Sequence, residues 1–292
     1  MTPCLPLVSV ICLCYNHEKF VEEALSSVSR QTYSAIELVV VDDASTDNSV
    51  EVIQQYLSKH QLLSQVKTCF LSKNVGNCTA FNQGLMQARG KYVIDFSTDD
   101  VMLLRRIEQQ VAFFETLDPT YGVIFSEAQY VDEQGTPLYY HHRDRLRHIQ
   151  PVPTGDIYCR LLSTYFIASP TMMIQKQVLD KLGGYDEQLA YEDFDFWVRS
   201  SRRYHYAYQD VCTTQIRKHP RSMSTGWYRR GDLQLHSTYL VCRKAQELNR
   251  TEEERKALAK RVMYELKRAL AGRNWREAKL LFVMGRELRI VP

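Results

Sequence analysis

Leu7-Val-Ser-Val-Ile-Cys-Leu-Cys14 is a run of apolar and β-branched residues about as long as one β-strand. Apolar residues at helical spacing follow it, and Ile36-Glu-Leu-Val-Val-Val41 then begins a second strand that runs into Asp42-Asp43. The alternation continues through two more strands, at 66–71 and 92–96. Alternating strands and helices predict a mostly parallel sheet covered by helices on both faces, with ligands beyond the carboxyl ends of the strands.

The middle of the chain keeps this alternation less regularly. A helix over 103–117 and a strand at 121–125 are predicted, and the polar, aromatic stretch 132–148 is then expected to be a long loop. A strand over 169–175 and a helix over 193–203 follow. Long loops on such a scaffold often carry specificity.

Composition places the chain among globular proteins. Of its 292 residues, 45% are hydrophobic and 24% are charged, which excludes a disordered chain or a coiled-coil rod. No apolar run approaches the 18 or so residues that cross a bilayer, and the first residues lack a secretion signal, so we expect a cytoplasmic protein. The eight cysteines form no Cys-x-x-Cys pair, which favours buried reduced thiols over a zinc or redox motif.

The C-terminal part differs in charge and in periodicity. Residues 229–292 hold 16 Lys or Arg and 8 Asp or Glu, whereas residues 1–228 carry a net negative charge although the whole chain is at +3. Helical periodicity dominates from about Asp232. We therefore predict an α/β domain over 1–228 and a basic helical appendage over 229–292, whose cations serve as a solvated helix face, a partner surface or a contact with anionic lipid.

Glycine positions exclude the two common nucleotide-binding loops. A dinucleotide fold needs a Gly-rich turn after the first strand, but no glycine precedes Gly76. A P-loop needs four residues between Gly and Gly-Lys, whereas five separate Gly84 from Gly90-Lys91. A nucleotide bound to this sheet must be held by acidic and amide side chains, with a metal at its phosphates.

Three acidic pairs lie near predicted strand ends or turns: Asp42-Asp43, Asp99-Asp100 and Glu192-Asp193. Each pair alone is also typical of a helix cap or a turn. Clustered carboxylates repel one another unless a cation or a proton relieves them, so three such pairs at one sheet edge favour a site.

Eight segments of the chain resemble, in order and spacing, those of glycosyltransferase family 2. They are Pro6–Asn16, Ser27–Thr32, Glu37–Asp47, Asn74–Gly76, Asn82–Gly84, Gly90–Val93, Leu182–Glu187 and Glu192–Arg199. The resemblance covers roughly residues 6–226. It implies an α/β fold of the GT-A type, with a Rossmann-like mixed sheet flanked by helices. It also implies inverting transfer of a sugar from a nucleotide-diphosphate donor, with a UDP-sugar favoured, to a hydroxyl of a growing glycan, as in bacterial surface polysaccharide synthesis.

The same resemblance assigns residues to the nucleotide. Tyr15 is expected to stack on the base and Asp43 to accept its ring N–H, since a carboxylate accepts well and an aromatic face pairs with a flat ring. Asn16, Asn82 and Asp99 are further nucleotide-binding candidates. Asn16 also fits a turn and Asn82 a solvated helix face.

The metal site departs from the family pattern. Where the family usually shows Asp-x-Asp-Asp, this chain has Ser97-Thr98-Asp99-Asp100, and a hydroxyl is a poorer ligand than a carboxylate for Mn²⁺ or Mg²⁺. The resemblance assigns Asp100 to the metal, Asp99 to the ribose or the metal, and His219 to the metal or diphosphate.

The resemblance makes Asp193 the general base that takes a proton from the acceptor hydroxyl, with Glu192 orienting the base or the acceptor. Asp195 is a weaker candidate with a structural alternative. The expected partners are a nucleotide-sugar donor and a glycan or lipid-linked acceptor. Peripheral membrane contact through the basic tail and a homo-oligomer stay open, and nucleic acid is not expected.

Two other functions compete with this interpretation. A non-catalytic sugar-nucleotide-binding or assembly subunit is favoured by Ser97, but the retained Glu192-Asp193 pair argues against it. A nucleotidyltransferase would share the sheet, but generally shows a Gly-rich phosphate loop near the N-terminus, which this chain lacks.

Overall fold

A single mixed sheet organises the part of the chain that the computed structural model describes, residues 5–222 and 228–289. Its strands are β1 (Val8–Cys14), β2 (Ile36–Asp42), β3 (Lys67–Phe70), β4 (Tyr92–Ser97), β5 (Val101–Met102), β6 (Tyr121–Val131), β7 (Pro137–Tyr140), β8 (Met173–Gln175) and β9 (His205–Arg217). The α-helices are α1 (Val21–Ser29), α2 (Ser49–Lys59), α3 (Asn77–Leu85), α4 (Arg106–Phe114), α5 (Tyr158–Ser163), α6 (Lys176–Leu182), α7 (Asp193–Ser201), α8 (Leu233–Leu248), α9 (Glu252–Ala271) and α10 (Trp275–Glu287).

The strand order is β3-β2-β1-β4-β8-β6-β9-β5, with β7 also paired to β6. The first four strands of this order are parallel, as the alternating pattern predicts. Strand β8 then runs antiparallel to both of its neighbours, and β6 and β9 are again parallel to each other. The sheet is therefore mixed, because β8 runs opposite to the strands on either side of it.

Register determines where the polar strand ends meet. Cys14 on β1 pairs with Asp42 on β2, and Leu13 pairs with Ser97 on β4. The carboxyl ends of these three strands therefore lie side by side at one edge, and the residues that follow them converge there.

Each face of the sheet is covered by a separate hydrophobic layer. All seven residues of β1 are buried, because alternate side chains enter opposite layers. Val10 packs with residues of α1, α2 and α4 on one face. Ile11 packs on the other face with α3, α7 and the C-terminal helices.

The segment after the predicted strand at 121–125 differs from expectation. The prediction of a long loop over 132–148 is wrong: the segment contains β7 and a π-helix, His141–Arg145. Strand β6 also continues six residues further than predicted, through buried Ser126 and Glu127. The polar residues of this part of β6 did not predict a strand, because the groups that satisfy them lie elsewhere in the sequence. Ser126 Oγ lies 2.6 Å from Thr213 Oγ1, and Glu127 accepts hydrogen bonds from backbone N–H groups of the π-helix.

The basic C-terminal helices pack on the α/β body. Helix α9 begins with a capping box between Thr251 and Glu254, and its Leu258 and Val262 enter the same hydrophobic layer as Trp197 of α7. The boundary at 228 stays a prediction, although the helices share this core with the body. Helix α10 also buries one side in that core. None of the described helices combines the length and apolar character that a bilayer crossing requires.

Candidate active site

A cavity of about 390 Å³ opens at the carboxyl ends of β1, β2 and β4. Its lining includes Tyr15, Asp43, Ser97, Asp99 and Arg221. These residues come from distant parts of the sequence and meet here because of the strand register. The cavity therefore contains much of the expected nucleotide site. It also contains the cationic side chain of Arg221, which the sequence did not single out.

Asp43 is held by the loop before α3. Its two carboxylate oxygens accept the backbone N–H groups of Val75 and Gly76 at 2.7 and 2.9 Å. Gly76 adopts φ +85°, in the left-handed region that glycine enters without strain. Burial raises the pKa of Asp43, although the two N–H donors oppose this. Each carboxylate oxygen has a second acceptor position, so Asp43 can still accept a hydrogen bond from a ligand.

The two residues after β1 have different environments. Tyr15 lines the cavity and is 44% exposed, so part of its ring can meet a ligand. Asn16 has φ +59°; its backbone N–H donates to Ser45 Oγ, and its side-chain oxygen accepts the N–H of Thr46 at 2.8 Å. Asn16 therefore joins the loops after β1 and β2, as the turn alternative predicts, while its contact with nucleotide stays a prediction.

Two histidines and one carboxylate form a cluster that could hold a metal ion. The ligand atoms of His17, Asp99 and His219 all lie within 4.8 Å of one another. Nε2 of His219 is 3.0 Å, and Nε2 of His17 is 3.9 Å, from Asp99 Oδ2. The donor set fits a divalent transition metal, for which imidazole nitrogen and carboxylate oxygen are common ligands.

Hydrogen bonds and charge keep Asp99 ionised. Burial alone would raise its pKa, but the hydrogen bond to His219, the charge of His17 and the Ser97 hydroxyl lower the pKa of Asp99 to about 2. Burial lowers the pKa of His17, although the neighbouring Asp99 opposes this. Ser97 Oγ donates to Asp99 Oδ1 at 2.5 Å. An anionic carboxylate thus faces the two imidazoles.

The structure does not bring Asp100 into this cluster. Its carboxylate is buried and accepts the backbone N–H of Arg217 at 2.9 Å. Burial and the charge of Asp99 raise the pKa of Asp100. The Arg217 side chain in turn donates to the carbonyls of Asp99 and Glu133. Asp100 and Arg217 therefore link the end of β4 to β9, and the metal role predicted for Asp100 has no geometric support.

The predicted base lies at the start of α7. Asp193 is its first residue, and Glu192 precedes it and accepts a hydrogen bond from Asn77 Nδ2 at 2.6 Å. Asn77 also lines the cavity. Oδ1 of Asp193 makes no hydrogen bond within the described part of the chain. Burial, and next the charge of Glu192, raise the pKa of Asp193 well above its usual range.

Asp95 is a third carboxyl group in this region, and the sequence analysis missed it. Burial and the charge of Glu192 raise the pKa of Asp95, and Tyr185 donates its hydroxyl hydrogen to Asp95 Oδ2 at 3.1 Å. The available signal was period-two alternation: Asp95 lies two positions before Ser97, so both side chains leave β4 on the same face. An acid inside an apolar strand, on the face of the site, merits attention on that ground alone.

Asn82 and Asp195 have structural partners. Asn82 accepts the N–H of Tyr185 and donates to its carbonyl, both at 2.9 Å, and it does not line the 390 Å³ cavity. Asp195 is fully buried and accepts hydrogen bonds from Arg199 and Lys244. Nucleotide binding by Asn82 remains a prediction without support from its position.

His17 and Arg221 are the other site residues that sequence reasoning did not assign. His17 follows Tyr15-Asn16 directly, so its place after β1 was the available signal. Arg221 follows His219 by two positions in the basic segment Arg217–Ser224, and that basic character was the available signal; Met223 and Ser224 lie outside the described residues.

Comparison with known proteins decides the family. The family model described as "Glycosyl transferase family 2" matches residues 9–183. The chain belongs to glycosyltransferase family 2. This family 2 chain is 30% identical over 177 residues to a putative teichuronic acid biosynthesis glycosyltransferase, TuaG, of Bacillus subtilis, a match that covers 61% of the chain and 65% of TuaG. Against two other curated glycosyltransferases, the match spans 64% and 59% of their lengths.

Two solved structures share the fold of this family 2 chain. Staphylococcus aureus TarS (residues 1–349), in complex with UDP-GlcNAc, superposes with a TM-score of 0.69 at 22% identity, covering 91% of this chain and 73% of that one. The mannosyltransferase PcManGT of Pyrobaculum calidifontis, in complex with GDP-Man and Mn²⁺, gives 0.65 at 19% identity, covering 98% and 81%. The expectation of a GT-A fold is confirmed.

Proposed function

We propose that this chain is an inverting glycosyltransferase that moves a sugar from a nucleoside-diphosphate donor, with UDP favoured, to a hydroxyl of a growing glycan. The observation that carries the proposal is the cavity that Tyr15, Asp43, His17 and Asp99 line together, with His219 next to Asp99. The similarity to a putative teichuronic acid biosynthesis enzyme supports cell-surface polysaccharide as the product class.

The donor's parts correspond to different sides of the cavity. Tyr15 offers a ring face for the base, and Asp43, fixed by two backbone donors, offers an acceptor for a ring N–H. Arg221 lines the same cavity and supplies positive charge for the diphosphate. Asp99 and His219 would hold a divalent metal, Mn²⁺ or Mg²⁺, which when bound stabilises negative charge on the departing diphosphate.

Asp193 is the proposed general base. An inverting reaction needs one carboxylate to accept the proton of the acceptor hydroxyl as its oxygen attacks the anomeric carbon from the face opposite the diphosphate. The raised pKa makes Asp193 a stronger base than an exposed aspartate. Glu192 is bonded to Asn77 and lies next to Asp193, so it is placed to orient that group.

Peripheral contact with an anionic lipid surface is part of the proposal if the acceptor is lipid-linked. Trp275 and Phe282 are 64% and 42% exposed on α10, beside the cationic Arg276 and Lys279. An apolar group flanked by cations complements an anionic interface. Flotation with phosphatidylglycerol vesicles, but not with phosphatidylcholine vesicles, is the expected result, and Trp275→Ala should weaken it.

The competing function is a sugar-nucleotide-binding subunit without catalysis. Ser97, in place of the family's usual acid, favours it, whereas the carboxyl group of Asp193, with its raised pKa, is expected of a catalytic base. Sugar transfer by the purified chain therefore separates the two functions.

Calorimetry with UDP, GDP and TDP, each with and without Mn²⁺, tests the donor class. We expect one nucleotide to bind with a metal-dependent affinity; failure of all three would contradict the proposal. Asp193→Asn should then keep the dissociation constant of that nucleotide and lower kcat by about 10²- to 10⁴-fold, measured as nucleoside diphosphate released from the matching sugar donor with acceptor. Asp210→Asn, a change at an exposed aspartate, is the matched control. Unchanged turnover in Asp193→Asn would remove this residue from the mechanism.

A further inference from the structure

Ser97 orients the carboxylate of Asp99. Its hydroxyl hydrogen is directed at Asp99 Oδ1, 2.5 Å away, and fixes that oxygen. Asp99 Oδ2 faces His219 and His17. At position 97, where the family usually has an acid, this chain thus has a hydrogen-bond donor. A metal ligand in place of that acid must come from another residue.

Thr98 contacts one ring nitrogen of His17, and the other ring nitrogen faces Asp99. Thr98 Oγ1 donates its only hydrogen to the carbonyl of Leu13 at 3.0 Å. The same oxygen lies 2.9 Å from His17 Nδ1, so Thr98 engages this ring nitrogen. Nε2 of His17 lies 3.9 Å from Asp99 Oδ2, too far for a hydrogen bond. A metal ion between these two atoms would be bound by both of them.

We propose that His17 is a metal ligand that replaces the missing family acid, and that the resulting site of two imidazoles and one carboxylate selects Mn²⁺ or a similar transition metal over Mg²⁺. The proposal deepens the metal-assisted transfer proposed above and rests on it. Metal-binding histidines commonly donate their second ring N–H to a fixed acceptor, and Thr98 is that acceptor for His17.

Ligand chemistry gives the direction of selectivity. Mg²⁺ prefers oxygen ligands and keeps several water molecules, so it gains little from two imidazole nitrogens. Mn²⁺ binds nitrogen ligands less strongly than the later first-row metals do, but it accepts imidazole better than the harder Mg²⁺ ion. Exchange of a carboxylate for His17 also makes the protein's ligand set less negative by one charge, which weakens attraction for a hard cation most.

The direct test is titration of the full chain with MnCl₂ and with MgCl₂, first without nucleotide and then with UDP. Pulsed electron paramagnetic resonance of the Mn²⁺ sample detects bound imidazole nitrogen. We expect Mn²⁺ to bind at least about 10-fold more tightly than Mg²⁺, with nitrogen couplings from two histidines. In His17→Gln, one coupling should disappear and the Mn²⁺ dissociation constant should rise by about 10-fold or more, while the Mg²⁺ constant changes little.

Two further variants guard against trivial explanations. His60→Gln, a change at an exposed histidine after α2, should leave all constants unchanged. Thr98→Val keeps His17 but removes its acceptor, and should weaken Mn²⁺ binding by several-fold even if His17→Gln fails to fold.

The outcomes separate this proposal from the proposed function. Equal affinities for the two metals in the wild-type protein, or two nitrogen couplings retained in His17→Gln, would overturn the role of His17. Unchanged Mn²⁺ binding in Thr98→Val would overturn the role of its hydrogen bond. If Mn²⁺ binds as expected but UDP binds under no condition, the ligand set stands and the donor assignment fails.

Discussion

Lys244 Nζ lies 2.6 Å from Asp195 Oδ1, and this ion pair joins α8 to the helix that begins with Asp193. Asp195 is fully buried, and its other oxygen accepts from Arg199 at 2.6 Å. Arg199 also donates to the carbonyls of Leu182 and Gly184. The C-terminal helices thus contact the elements that position the proposed base.

Lys244→Met should destabilise the protein by about 2 kcal/mol. Removing one partner of a buried ion pair costs about 3–5 kcal/mol, and the retained Arg199 and the partial exposure of Lys244 reduce this figure. Urea unfolding gives the free energy, with Lys267→Met, a change at an exposed lysine on α9, as control. A loss no larger than that of the control would show that the ion pair does not stabilise the contact.

Glu192→Gln should move the acidic limb of the pH profile of kcat/KM to lower pH. The charge of Glu192 raises the pKa of Asp193, and a base works only when deprotonated, so removing that charge ionises Asp193 at lower pH. Because burial is the larger cause, the limb should stay above the usual aspartate range. Glu187→Gln, a change at an exposed acid, should leave the profile in place. An unmoved limb in Glu192→Gln would mean that Asp193 does not govern it.

Asp95→Asn should stabilise the protein at neutral pH, by about 1 kcal/mol or more. The folded state raises the pKa of Asp95, so as pH increases the unfolded chain loses this proton first and folding becomes less favourable. Asparagine removes that penalty and can still accept the Tyr185 hydroxyl. Urea unfolding should show the gain growing between pH 4.5 and pH 8. In the control Asp118→Asn, the wild-type pKa is lowered, so this carboxyl group is largely ionised in both the folded and the unfolded state across this range, and the effect should change little with pH; a gain independent of pH in Asp95→Asn would contradict this explanation.

Gly184→Ala should cost more than Gly135→Ala. Both glycines have positive φ, +76° and +83°, so alanine is strained at either position. At Gly184 the added Cβ would also collide with Asn82 Oδ1, whereas nothing lies within 4 Å at Gly135. We expect an additional loss of about 1–3 kcal/mol from the collision, measured by thermal or urea unfolding. Equal losses of unfolding free energy in the two variants would show that the Asn82 side chain moves away from the added Cβ at little cost.

Local patterns predicted the parallel half of the sheet, because β1, β2 and β4 are apolar runs followed by clear helical spacing. They failed for β9, which contains the polar pairs Gln209-Asp210 and Thr213-Thr214 and shows no regular alternation. Buried Ser126 forms its hydrogen bond with Thr213, which lies 87 positions away in the sequence. Such a contact depends on the tertiary structure and cannot be read from neighbouring residues.

The candidate site shows the same division. Asp43 and Asp99 were predicted from strand ends and family motifs, and both line the cavity. Asp99 and Asp100 are neighbours in sequence, but only the three-dimensional structure distinguishes the carboxylate that faces two histidines from the one that binds the Arg217 backbone. The place of His17 after β1 made it a candidate from the sequence, but its partners Thr98 and Asp99 lie some eighty residues further along the chain and are known only from the structure.

The strands at the margins of the sheet have a consequence for behaviour at high concentration. Strand β3 has four residues and begins with Lys67, which is paired to Glu37; β5 has two residues and β7 has four. Short margins leave few backbone N–H and C=O groups to which another chain could add a strand, and a charged margin disfavours such addition. The architecture that gathers its long strands in the interior therefore also protects the protein against edge-to-edge aggregation.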